Sequence, residues 1–103
     1  MALPPQTDEA RKAALAKAGE ARRARAEMKQ LLQVGSLTLA EVFERAETDD
    51  IIAGTKVAAV INSLPGVGKV KTIRTLEEHN IPDNRRLRGL GVRQKATLLE
   101  LFG

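Results

Sequence analysis

The sequence predicts an all-α protein, a long N-terminal helix packed on a small domain of short helices. Two observations carry this. No segment alternates apolar and polar residues between turn signals, so nothing reads as a strand. The apolar residues, 43% of 103, are nearly all Ala, Leu, Val and Ile, with Phe43 and Phe102 the only aromatics. That composition suits helices meeting along aliphatic ridges. A chain of this length supports one domain at most. It hides only a modest fraction of its surface, so an extended arm must rest on a shared core to stay ordered.

Pro4 and Pro5 give an extended start, and Thr7 reads as an N-cap with Asp8 and Glu9 in the first turn, where the helix dipole favours acids. From there to about Gln33 the chain is rich in Ala, Arg, Lys and Glu, all strong helix formers, with Gly19 its one glycine. Within this helix the only large apolar residue before Met28 is Leu15, so its first half projects; Met28, Leu31, Leu32 and Val34 are the docking residues. Gly35 and Ser36 stop the helix. Residues 1–36 thus form an arm, and residues 37–103 the compact part.

Thr38-Leu-Ala-Glu41 is a capping box opening a short helix with Leu39, Val42, Phe43 and Ala46 inward. Thr48-Asp49-Asp50 breaks it, and Ile51 and Ile52 are buried connectors or the start of another turn. After Gly54, Thr55 can cap a helix from Lys56 to Ser63, with Val57, Val60, Ile61 and Leu64 inward. Pro65 to Lys69 is the next break. A helix follows to about His79 with Val70, Ile73 and Leu76 inside, and Ile81-Pro82-Asp83-Asn84 ends it. The last helix, from Val92 to Phe102, is anchored by Leu98, Leu99, Leu101 and Phe102.

Charge is distributed unevenly. Residues 1–36 carry seven Lys/Arg against four Asp/Glu, residues 37–63 two against five, and residues 64–103 eight against four. A basic arm and a basic C-terminal half flank an acidic middle, an electrostatic footprint suited to a polyanion. So few aromatics argue against stacking platforms for single-stranded bases. The absence of cysteine removes disulfides and thiolate metal sites. No signal peptide or membrane span is evident, which makes the cytoplasm the expected compartment.

Two segments concentrate the binding chemistry. In Leu64-Pro-Gly-Val-Gly-Lys69, Gly66 and Gly68 let the backbone turn sharply and approach a partner, while Val67 can plug into the core. The N–H groups opening the next helix then form an anion site, with Lys69 and Lys71 beside it. Gly-Val-Gly alone is a weak signal that fits a ligand-free turn somewhat better; the adjacent lysines and the arginine segment that follows raise the reading towards binding. It is not a nucleotide-binding P-loop, because the glycines stand too close, Val70 occupies the Ser/Thr position and no strand precedes it. In Arg85-Arg-Leu-Arg-Gly89, Leu87 and Leu90 hold the segment on the core while Arg85, Arg86 and Arg88 face out, with Arg93 and Lys95 following. Cations this close repel one another, and an anionic partner is the simplest explanation, against a merely solvated basic loop. The arm's Arg22, Arg23, Arg25 and Lys29 read either as a second contact with the polyanion or as a solvated face, with Arg23 and Glu27 spaced to pair.

Catalysis finds no constellation. His79 is the only histidine and falls in a helix's last turn; Asp49-Asp50 and Glu77-Glu78 lack the further ligands of a metal site; Ser36 and Ser63 have no base nearby in sequence. No catalytic residue, metal or cofactor is expected.

Leu64-Pro-Gly-Val-Gly-Lys-Val70 followed by Arg85-Arg-Leu-Arg-Gly-Leu-Gly91 resembles the actinobacterial (mycobacterial and streptomycete) integration host factor family. The likeness extends to the Met-Ala-Leu-Pro start, Ala21-Arg-Arg-Ala-Arg-Ala-Glu27 and Lys56-Val-Ala-Ala-Val-Ile61. It implies a helix–two-turn–helix module, shared with a small-subunit ribosomal protein and formamidopyrimidine-type glycosylases, and unrelated to the heterodimeric DNA-bending protein of the same name. It implies a nucleoid-associated protein that binds double-stranded DNA with little sequence preference, shapes it, and can assist phage integrase complexes. On this resemblance Gly66–Lys69 matches the phosphate-gripping turn, and Arg85, Arg86 and Arg88 match the DNA-binding arginines. The protein is expected to be a monomer in the nucleoid; RNA or ribosome binding through the same module is the alternative. One departure concerns packing. Thr72, Thr75 and His79 stand where relatives carry apolar residues, so the inward face must use Ile73 and Leu76, or bury polar atoms.

Overall fold

The computed structural model describes residues 8–103, so the expected Thr7 cap and the proline start lie outside the described residues. Six α-helices follow one another: α1 (Asp8–Gln33), α2 (Leu39–Thr48), α3 (Asp50–Ala53), α4 (Val57–Asn62), α5 (Gly68–Glu78) and α6 (Val92–Phe102), with a 3-10 turn at Leu87–Gly89 before the last. No strand occurs among the described residues; one isolated antiparallel bridge pairs Lys56 with Arg86.

α1 has 26 residues, about 39 Å at about 1.5 Å per residue. Only Met28 and Leu32 are buried along it, so its N-terminal part projects as the alanine-rich sequence requires. The radius of gyration is 16.2 Å, against about 13 Å for a compact domain of this size. Leu31 packs against the core at its edge. Val34, expected to dock, is 67% exposed. It lies past the last turn, which a Schellman closure ends: Gly35 N–H donates to Leu32 O at 3.2 Å and Ser36 N–H to Leu31 O at 2.9 Å, with Gly35 at φ 78°.

The Thr38–Glu41 capping box forms as expected, with Glu41 N–H on Thr38 Oγ1 at 3.2 Å and Thr38 N–H on Glu41 Oε1 at 3.1 Å. Asp49 ends α2 and caps α3, its carboxylate accepting from the N–H groups of Ile51 (2.9 Å) and Ile52 (3.3 Å). Thr55 does not cap α4. Its hydroxyl donates back to Ile51 O at 3.1 Å, and Val57 N–H, at the start of α4, donates instead to Arg85 O at 2.9 Å. The bridge between distant segments has taken the role assigned to a local cap.

α5 turns a different face inward from the one its aliphatic residues suggest. Val70 and Ile73 are 72% and 47% exposed, while Thr72, Thr75 and Leu76 are buried. The two hydroxyls are satisfied within the helix: Thr72 donates to Gly68 O and Thr75 to Lys71 O, each at 2.8 Å. A threonine bonded to its i−4 carbonyl presents a methyl group to the core and leaves no polar atom unpaired. Of the two solutions open to the sequence, the protein buries polar atoms. Ile81, after a left-handed Asn80 (φ 55°), adds apolar cover. His79 is the half-buried C-cap of α5.

The core joins Met28 and Leu32 of α1 to Leu39, Val42 and Phe43, then Val57, Val60 and Ile61, then Leu76, Leu87 and Leu98. Leu99 and Phe102 pack on it in part, but Leu101, an expected anchor, is 52% exposed.

Candidate nucleic-acid interface

The Pro65–Lys69 turn has the conformation its glycines permit. Gly66 and Gly68 stand at φ 77° and 73°, a left-handed region that costs an L-residue about 1–2 kcal/mol. A Cβ at either would meet nothing within 4 Å, so dihedral angle rather than crowding requires glycine. Val67 between them is half-buried against the core and pins the turn. It is also the N-cap of α5 and offers no side-chain oxygen to the N–H groups of the first turn. Residues 68–70 are exposed, at the end of the helix where the dipole is positive and the first-turn N–H groups have no partner within the helix. Lys69 stands beside them, exposed. Lys71 is exposed too, but its ammonium leans over the Phe102 ring, 6.0 Å from the centroid.

The arginine segment lies at the other end of α4. Val57 N–H donates to Arg85 O, and Leu87 N–H donates to Thr55 O, both at 2.9 Å. These bonds, with Leu87 and Leu90 buried, tie the segment to the start of α4, whereas the glycine turn leaves its end. The six-residue helix separates the two by about 9 Å. They form two grips on one rigid rod rather than a single pocket.

Within the segment the three guanidinium groups differ, which corrects the expectation that all face out. Arg88 is exposed. Arg85 is half-buried, its Nη1 donating to Gly89 O at 2.9 Å and Gln94 Oε1 at 3.2 Å. Arg86 is exposed, yet its Nη1 donates to Gly54 O. Carbonyl and amide oxygens absorb part of the charge density that sequence reasoning left to a partner. Arg93 is exposed on the first turn of α6. Lys95 sits with its ammonium 5.9 Å from the Phe43 ring centroid.

Arg86 also reaches a group that the sequence did not link to it. A cleft of about 230 Å³ between α1 and the start of α4 is lined by Arg25, Lys29, Gly54, Thr55, Lys56, Ala59 and Arg86. Four cations and no acid line it among the described residues. Arg25 and Lys29 also border a larger groove along α1, with Ala18, Ala21, Arg22 and Gln33. The Nε of Arg25 is buried without a hydrogen-bond partner, and its Nη2 is 3.4 Å from where a Gly54 Cβ would stand. A signal for this was present. Arg25 precedes Met28 by three residues and Lys29 precedes Leu32 by three, so docking that apolar pair carries both cations to the body. Among the described residues, no three His, Cys, Asp or Glu side chains gather as a metal site.

The S13-like H2TH domain family matches residues 32–102. The chain is 52% identical over 103 residues to the protein named Integration host factor of Mycobacterium tuberculosis, covering 100% of this chain and 98% of that one. The chain belongs to the actinobacterial integration host factor family. Its Mycolicibacterium smegmatis relative is 53% identical over 102 residues (99% of this chain, 97% of that one), and the one from Streptomyces coelicolor 48% over 103 (100% and 96%). A solved structure, described as sIHF bound to an 8bp palindromic DNA, superposes with a TM-score of 0.82 at 44% identity, over 85% of this chain and 99% of that one.

Proposed function

We propose that this chain is a nucleoid-associated architectural protein that grips double-stranded DNA through its phosphates, with little sequence preference, and shapes it without catalysis. The observation that carries this reading is the acid-free cleft in which Arg25, Lys29, Lys56 and Arg86 converge. Four cations this close repel one another, and a phosphate oxygen in the cleft offsets that repulsion. The grips flanking α4 extend the surface: Gly66, Val67, Gly68, Lys69 and Lys71 at the turn, and Arg85, Arg86, Arg88 and Arg93 at the other end. Residues 1–36 act as an arm and 37–103 as the DNA-binding module. In this reading the protein works as a monomer in the cytoplasmic nucleoid and supports phage integrase complexes by holding their DNA in shape. Relatives named Integration host factor and a family structure bound to DNA favour duplex DNA over RNA.

The test is a gel-shift titration on unrelated duplexes across a salt series. Engagement of roughly four to six phosphates gives a log–log salt slope of about −4 to −5, with unrelated sequences bound within a few-fold of one another. A flat salt dependence, a strong preference for one operator, or preferential competition by structured RNA defeats the proposal.

A further inference from the structure

Arg85 and Gln94 form a bonded unit on the surface proposed to face DNA. Gln94 lies in the first turn of α6, nine residues from Arg85. Its Oε1 accepts from Gly91 N–H at 3.0 Å, making the half of a capping box that a glycine N-cap permits, and also from Arg85 Nη1 at 3.2 Å. The same Nη1 donates to Gly89 O at 2.9 Å. The arginine stem lies across the turn: a Cβ at Gly89 would stand 2.9 Å from Arg85 Cδ, closer than carbon atoms pack. Arg85 thereby spans the 3-10 turn that carries Arg88 and fastens it to the start of α6, where Arg93 projects.

Both hydrogens on Nη1 are committed to oxygens of the protein, and the residue is half-buried. Arg88, by contrast, is exposed at the middle of the same turn. We infer that Arg85 and Gln94 are positioning residues for DNA binding, a buttress that fixes the arginine turn against α6 and presents Arg88, with Nη1 of Arg85 held by the protein rather than by a phosphate. The inference rests on the DNA-binding reading above and divides the labour within it. A lysine cannot replace Arg85, because its stem ends one atom short of the position from which Nη1 reaches both acceptors. A glutamate can replace Gln94, since a carboxylate oxygen accepts the same two bonds.

The experiment measures duplex affinity and its salt slope for the full chain and for Arg85→Lys, Arg85→Ala, Gln94→Ala, the Arg85→Ala/Gln94→Ala double variant, Gln94→Glu and Arg88→Ala, with helicity checked by circular dichroism. Arg85→Lys, Arg85→Ala and Gln94→Ala should each weaken binding about three- to tenfold, and the double variant no more than either alanine variant, because one unit is lost in every case. Their salt slopes should match the wild type, Gln94→Glu should bind within about twofold of it, and Arg88→Ala should lower the slope by about 0.9. The inference is overturned if Arg85→Lys binds like the wild type, if the alanine variants are additive, or if Arg85→Ala loses a full phosphate's slope. Failure of the wild-type chain to bind duplex at low salt would overturn the DNA-binding reading and this inference together, whereas failure confined to the variants overturns this inference alone.

Discussion

Replacing Gly68 separates the conformational demand of the glycine turn from its electrostatic one. At φ 73° an alanine pays the left-handed penalty of about 1–2 kcal/mol and nothing for space, since its Cβ would meet no atom within 4 Å. A shift of about 4–8 °C per kcal/mol for a domain of this size puts the fall in Tm for Gly68→Ala at about 5–15 °C. Gly68→Asp starts from the same penalty, but its carboxylate stands in the first turn of α5, where the dipole returns about 0.3–1 kcal/mol. The aspartate variant should therefore melt no lower than the alanine variant. In DNA binding the order reverses. The alanine methyl obstructs close approach to the N–H groups, and the aspartate adds a negative charge at the place proposed for a phosphate. Calorimetric melting and duplex titration of the two proteins read both orders. If Gly68→Asp binds DNA as tightly as Gly68→Ala, no phosphate sits at this turn; if Gly68→Ala melts with the wild type, the left-handed turn is wrong.

Charge reversal of Arg25 and Lys29 to Glu should weaken duplex binding at least as much as reversal of Arg88 and Arg93, with helicity retained; unchanged affinity in gel-shift titration would remove the cleft from the site. Deleting residues up to Lys17 should leave cooperative melting in place, because the described part of that segment is exposed, while reducing DNA compaction; loss of helicity well beyond the residues removed would place the arm in the core. Met28→Ala, at a side chain 1% exposed, should cost about 2–5 kcal/mol in denaturant unfolding, and a near-zero cost would mean that α1 is not docked there.

The fold class, the helix order and the glycine turn were written locally, and so they were legible. Capping at Thr38–Glu41 joins groups three residues apart, and a Gly-Val-Gly turn needs only its own dihedral angles, so neither waits for the rest of the chain. Arg85, Arg86 and Arg88 were recognisable as a cluster for the same reason. What the sequence could not decide was which way each group points, because that depends on partners far along the chain. Val57 N–H takes Arg85 O, 28 positions on, and this displaces Thr55 from the cap. Two threonines replace Val70 and Ile73 on the buried face of α5, because once their hydroxyls bond the helix's own carbonyls the face that fits the core no longer has to be the most aliphatic one. Arg86 bends to Gly54 O, 32 positions earlier, and the docking of Met28 and Leu32 brings Arg25 and Lys29 beside it. Sequence determined where the positive charge lies along the chain. Only tertiary packing, which sets distances between residues remote in sequence, decided which cations share a cleft and which are spent holding the protein together.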